Sequence, residues 1–206
     1  MEAFTIHHGL GATLSRDDVD TDQIIPKQFL KRTTRDGYGE ACFFDWRYDP
    51  TGQPRSDFEL NDPAYAGASV LITGRNFGCG SSREHAAWAL LGYGIRVVIA
   101  PSFGDIFTVN ALQNGLLPVL LPATTVEQLR ERVSRRDGHQ LTVDLREQRV
   151  FDGEGHSADF ELEGFWRDCL LSGLDPIAMA LSHSDAIAAF ESTRSPLLPV
   201  TSGLAA

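Results

Sequence analysis

Between Ser69 and Leu121 the chain alternates short apolar runs with helix-length stretches, and this alternation limits its fold more than any other feature. Ser69-Val70-Leu71-Ile72-Thr73 is a buried run of strand length. Arg96-Val97-Val98-Ile99-Ala100 is a second, stopped by Pro101. Leu116 to Leu121 is a third, despite Pro118. The first spacer reads as a helix from about Ser82 to Leu91, ended by Gly92 and Gly94. The second reads as a helix from Gly104 to Asn114, with Gly115 as its C-terminal stop. Strands alternating with helices predict an α/β unit with parallel pairing.

The flanks are less regular. Phe4 to Leu14 suggests one or two short strands broken by Gly9 and Gly11. Asp17 to Asp22 is a polar loop dense in carboxylates, and Pro26 opens a short turn holding Phe29 and Leu30. From Lys31 to Asp62 glycine, proline and charged residues are scattered among the aromatics Tyr38, Phe43, Phe44, Trp46 and Tyr48. A long irregular segment of this kind is functional or mobile. Thr125 to Arg135 reads as a helix, 140–145 with 148–151 as a hairpin, and 158–162 as a further strand. Residues 164–192 form a helical extension interrupted at Gly173 and Pro176, followed by a frayed tail. The 206 residues suit a single domain with a full core better than two small ones.

Charge and cysteine usage exclude several function classes. The formal net charge is −10, which repels phosphate backbones and argues against a nucleic-acid partner. A small anionic substrate stays open, because a local cluster of Arg and Lys overrides the global sign. No stretch approaches the ~20 apolar residues that span a bilayer. Met1-Glu2-Ala3-Phe4 lacks a basic segment leading into an apolar one, so a cytoplasmic location without membrane contact is expected. The three cysteines, Cys42, Cys79 and Cys169, are widely spaced with no Cys-x-x-Cys, which signals neither a zinc site nor a redox pair.

The first strand runs into Gly74-Arg75-Asn76-Phe77-Gly78-Cys79-Gly80-Ser81-Ser82-Arg83-Glu84-His85. Gly78 and Gly80 permit close approach of a ligand or positive φ. Ser81 and Glu84 have the spacing of a capping box, which would set Ser81 at a helix N-terminus suited to an anion. Arg83 adds a fixed charge fit for a bidentate carboxylate contact. The same spacing also serves plain helix caps, so these residues alone indicate a carboxylate-binding terminus and no reaction. A dinucleotide fingerprint would need glycine where Arg83 stands, and Gly-x-Ser-x-Gly is absent around Ser81 and Ser82.

Asn76-Phe77-Gly78-Cys79-Gly80-Ser81-Ser82-Arg83-Glu84-His85-Ala86 resembles the signature of the swivelling domain of the aconitase superfamily. Val19-Asp20-Thr21-Asp22-Gln23-Ile24-Ile25-Pro26 resembles that domain's other signature. Phe103-Gly104-Asp105-Ile106-Phe107 and Asn114-Gly115-Leu116-Leu117-Pro118 match in the expected order. Cys169 to Asp175 and Ser184 to Ile187 resemble the bacterial small subunits of 3-isopropylmalate dehydratase, so the similarity covers nearly the whole chain.

The resemblance implies a three-layer β/β/α swivelling domain, a small sheet or barrel with flanking helices. It implies a hydro-lyase active only with a large subunit, acting on a small dicarboxylate in leucine biosynthesis. The [4Fe–4S] cluster of such enzymes is held by the large subunit, so this chain would bind no cofactor or metal. Carried over by motif, Ser81 is the catalytic base. Ser82 and Arg83 contact substrate carboxylates, and Thr21 and Asp22 belong to the active site, Asp22 orienting Arg83 or the serine. Leu30, Lys31 and Arg32 fall in the loop that distinguishes substrates; Leu30 suits an isopropyl group, and Lys31 or Arg32 a carboxylate. Read from the residues alone, the competing reading of that loop is a solvated basic turn. His85 reads as a structural helix residue, and Cys79 receives no chemistry. The competing expectations are a sister hydro-lyase acting on methylmalate/citraconate or homoaconitate, and a non-catalytic anion-binding module.

Overall fold

The computed structural model describes residues 1–31, 37–135 and 139–194. The chain opens with β1 (Ile6–Leu14), then a single helical turn α1 (Thr21–Ile24) and a 3-10 turn at Lys27–Phe29. Short turns α2 (Tyr38–Ala41) and α3 (Phe44–Arg47) follow, with 3-10 turns at Glu59–Asn61 and Pro63–Tyr65. The regular part is β2 (Val70–Thr73), α4 (Glu84–Tyr93), β3 (Val97–Ala100), α5 (Asp105–Asn114), β4 (Leu117–Leu120) and α6 (Ala123–Ser134). It continues through β5 (Gln140–Asp144), β6 (Arg149–Asp152), β7 (Ser157–Asp159), α7 (Gly164–Ser172), α8 (Pro176–Leu181) and α9 (Ser184–Ser192).

Among the described residues the seven strands form one sheet in the order β4-β3-β2-β1-β5-β6-β7. The β1–β4 half is parallel, with Gly11 opposite Val70, Val70 opposite Val97 and Val97 opposite Leu117. From β1 outward through β5, β6 and β7 the pairing is antiparallel. This mixed sheet with flanking helices agrees with the swivelling-domain architecture the resemblance implies.

The apolar runs are continuous because both faces of the parallel half are covered. Val70, Ile72, Val97 and Ile99 point into a core shared with Val126, Leu129 and Val133 of α6. Leu71, Val98 and Ala100 point the other way, into a core with Ala86, Ala87 and Leu90 of α4 and with Tyr38 and Phe43. Truncating any of the larger of these to alanine would cost about 2–5 kcal/mol.

Two details differ from the sequence reading. β1 is one unbroken strand of nine residues. Gly9 and Gly11 lie inside it because side chains there would collide with Ser69 and Val133, so they mark close approach and not a break. The 164–192 extension has its expected break between Ser172 and Pro176 and a second one between Leu181 and Ser184. Its α7 is anchored by buried Cys169 and Leu170, and the Met1 ammonium donates to the Gly173 carbonyl at 3.0 Å. The expected frayed tail lies, from residue 195 on, outside the described residues.

β1, β2 and β3 run parallel, so the loops leaving them emerge side by side at one edge of the sheet. Carboxyl ends of parallel strands are where open α/β sheets bind ligands. Two isolated bridges, Asp20 with Cys79 and Phe77 with Phe103, continue the parallel pairing into these loops.

Candidate active site

Backbone bonds zip the three loops together. The Gly78 N–H donates to the Val19 carbonyl at 2.7 Å, and the Thr21 N–H to that of Cys79 at 2.9 Å. On the other side the Gly104 N–H donates to the Phe77 carbonyl at 2.9 Å. Gly80 has φ +90°, and a Cβ there would run into the Asp20 carboxylate. Gly78, at φ +73°, is backed by the Phe107 ring. Only glycine accommodates both demands at these two positions.

The capping box expected at Ser81 and Glu84 does not form. Helix α4 starts at Glu84, its N-cap is Arg83 in extended conformation, and no side chain caps it. The reason is local. The left-handed Gly80 and the Thr21 hydroxyl, which donates to the Ser81 carbonyl at 2.9 Å, keep residues 81–83 out of the helix. A capping box occurs instead in the first signature. Asp20 accepts from the Asp22 N–H at 2.6 Å, and Gln23 accepts from the Asp20 N–H at 2.8 Å. Asp20-x-x-Gln23 carries that spacing in the sequence, so the signal was present.

Ser81 and Ser82 are exposed, and Ser81 lines an open depression of about 200 Å³. Residues 78–81 form one wall, and Gly104, Asp105 and Ile106 at the start of α5 form the other. Behind the serines, Arg83 forms an ion pair with Asp22; the arginine side chain is 12% exposed and the carboxylate 34%. Lys27, which the motifs did not single out, lies with its Nζ 3.6 Å from the other Asp22 oxygen. Thr21 is buried, with its hydroxyl committed to the Ser81 backbone.

Of the loop expected to distinguish substrates, Leu30 and Lys31 are described. Leu30 is half-buried and packs against the α4-side core, and Lys31 is exposed. Arg32 lies outside the described residues. His85 packs between Tyr38 and Trp88, with ring centroids 5.4 Å and 4.7 Å away. Burial, then the Asp20 and Asp18 carboxylates, push the Cys79 thiol above its ordinary range, so it stays protonated at neutral pH.

The residues present do not fit an iron–sulfur cluster, which needs several converging thiolates. Cys42 is buried in the α4-side core and Cys169 in α7, while Cys79 stands alone at the depression. Among the described residues no three potential ligands come together.

Three crossover loops laced over the ends of parallel strands, with an arginine set behind an exposed serine pair, place the chain in the class of aconitase-type swivelling domains. The profile described as Aconitase C-terminal domain matches residues 1–124, and one described as LeuD_N matches residues 127–164. The 3-isopropylmalate dehydratase small subunit of Koribacter versatilis is 53% identical over 191 residues, covering 93% of this chain and 98% of the relative. That of Bacillus subtilis is 52% identical over 198 residues, covering 96% and 99%. A crystal structure of 3-isopropylmalate dehydratase from Methanocaldococcus jannaschii superposes with a TM-score of 0.63 at 29% identity, over 90% of this chain and 99% of that one. The chain belongs to the aconitase C-terminal domain family, in its branch of 3-isopropylmalate dehydratase small subunits.

Proposed function

We propose that this chain is the small subunit of a heteromeric hydro-lyase that isomerises 2-isopropylmalate to 3-isopropylmalate through isopropylmaleate, in leucine biosynthesis. The observation that carries the reading is the 78–83 loop: an exposed serine pair beside an arginine that Asp22 and the surrounding fold hold in place. The names of the relatives support the substrate over methylmalate, citraconate or homoaconitate. No helix of the described residues is long and apolar enough to cross a membrane, which accords with a cytoplasmic biosynthetic role.

In this reading Ser81 takes the proton from the carbon adjacent to the hydroxyl-bearing one. A serine is a weak base at its ordinary pKa. It serves only where the developing alkoxide is stabilised by neighbouring N–H groups and positive charge. Arg83 supplies that charge and grips a substrate carboxylate, with Ser82 as a second donor. Thr21 acts one step back, through its bond to the Ser81 carbonyl. The [4Fe–4S] cluster of the family is assigned to the large subunit, since the cysteines of this chain do not converge.

The test is reconstitution with the large subunit under anaerobic conditions, followed by assay of isopropylmaleate formation. Ser81→Ala is expected to assemble normally and lose turnover. Wild-type complex that ignores isopropylmalate but turns over a sister substrate would overturn the substrate assignment. Full activity in Ser81→Ala would reduce the loop to a non-catalytic anion site.

A further inference from the structure

We infer that Lys27 is a substrate contact of this site, its ammonium taking the second carboxylate of the dicarboxylate. The inference rests on the hydro-lyase reading above.

Lys27 opens the 3-10 turn that follows α1 and Pro26, so the backbone that fixes Asp22 also fixes the root of this side chain. Its Nζ stands 3.6 Å from Asp22 Oδ2, while Arg83 holds Oδ1. At 3.6 Å the contact is an ion pair and not a hydrogen bond. Among the described residues no hydrogen bond from Nζ to any acceptor is present, so its three donors are available to a ligand. The side chain is 74% exposed, against 12% for Arg83. One cation is thus set into the fold and the other stands in solvent, on the two oxygens of a single carboxylate.

Two cations share the Asp22 carboxylate in a chain whose net charge is −10, with the Asp20 and Asp105 carboxylates also at this end of the sheet. The two cations stand on opposite oxygens of one carboxylate, an arrangement that offers one cation to each end of a small dicarboxylate. Arg83 is already aligned to grip one end. Lys27 is a flexible point charge, and an exposed ion pair of this kind is exchanged readily for a better acceptor. Lys31, the cation expected in this role, is exposed and makes no contact with the Asp22–Arg83 pair among the described residues.

The test uses the reconstituted complex with Lys27→Gln and Lys27→Arg. Lys27→Gln is expected to raise the KM for 2-isopropylmalate about 10- to 100-fold, the loss of one charge-assisted hydrogen bond, with kcat changed far less. Lys27→Arg is expected to restore most of the affinity. Calorimetric titration of 2-isopropylmalate into the same complexes should show the same loss without requiring turnover. Its monomethyl ester at the distal carboxyl should bind wild type and Lys27→Gln alike. Unchanged KM and Kd in Lys27→Gln would overturn the inference. So would a fall in kcat at constant KM, which would mean that Lys27 acts through Asp22 on Arg83. Wild-type complex that binds isopropylmalate without converting it would sink the proposed reaction and leave the binding comparison decisive for Lys27.

Discussion

Replacing Asp22 by asparagine tests whether the Asp22–Arg83 pair organises the site. The substitution keeps the shape and removes the charge. Breaking a fully buried pair costs 3–5 kcal/mol, whereas an exposed one is worth about 0.2–1 kcal/mol. Here the arginine side chain is 12% exposed and the carboxylate 34%, so the pair lies between these limits. Discounting for the solvent that reaches Asp22 leaves about 2 kcal/mol. For a chain of this size that corresponds to a fall in Tm of roughly 4–8 °C. Arg83→Gln should fall by a similar amount. The double variant should fall by much less than the sum, because each single change already leaves the partner unpaired. Thermal unfolding of the four proteins by circular dichroism gives the coupling energy directly, expected at about 1–2 kcal/mol. In the reconstituted complex Asp22→Asn should also lower kcat/KM, since Arg83 loses the group that aims it. Additive effects on Tm, within roughly 0.5 kcal/mol, would refute the reasoning. They would show Asp22 and Arg83 to be neighbours without energetic connection.

Two further substitutions test the loop and a buried carboxylate. Gly80→Ala puts a Cβ onto the Asp20 carboxylate at a φ of +90°, which costs about 1–3 kcal/mol in strain and displaces the α1 cap. Turnover should drop at least about tenfold, the rate equivalent of such a displacement; wild-type kinetics would show that the loop's shape does not matter. Asp152 is fully buried and accepts from Arg132 Nε at 2.7 Å and from the backbone N–H groups of Glu154 and His156, with His139 Nε2 3.3 Å away. Burial alone would raise its pKa, but these donors and the Arg132 and His139 charges hold it below the ordinary carboxylate value. Its folded pKa is therefore lower than its unfolded one. The stability it contributes is complete above the unfolded value of about 3.9 and is lost as pH falls through the folded one. Asp152→Asn should lower the urea midpoint at pH 7, and the gap to wild type should narrow below about pH 4. A gap that stays constant with pH would disprove the linkage.

The parallel half of the fold was legible because its physics is local. Residues 70–72, 97–100 and 117–120 are apolar on both faces, and Gly94 and Gly115 stop the helices between them in left-handed conformation. The antiparallel half was legible as a hairpin, but nothing local to β1 shows that it serves as the hinge strand between Val70 on one side and Thr142 on the other. Gly9 and Gly11 misled for a related reason, since their role depends on Ser69 and Val133, which are distant in sequence. At the site, residue types were legible and conformation was not. Ser-x-x-Glu fits a capping box until the Thr21 hydroxyl, 60 residues away, pulls the Ser81 carbonyl out of the helix. Lys27 carries no motif value and is visible only through its distance to Asp22.

The failure of that capping box strengthens the case for Ser81. A capping serine commits its oxygen to a backbone N–H and could not take a proton from a substrate at the same time. By keeping 81–83 out of the helix, the Gly80 turn and the Thr21 bond leave the Ser81 hydroxyl without that duty, at the wall of an open depression. The same geometry explains why such a site would need a partner. Ser81 and Ser82 are exposed, and in water neither a serine's basicity nor the pull of Arg83 is tuned enough for proton abstraction. A surface that covers the depression and excludes water would strengthen every electrostatic contact to the substrate at once. On the proposed reading this chain contributes the serine-bearing wall with Arg83 beside it, and catalysis begins only when the large subunit closes the other side.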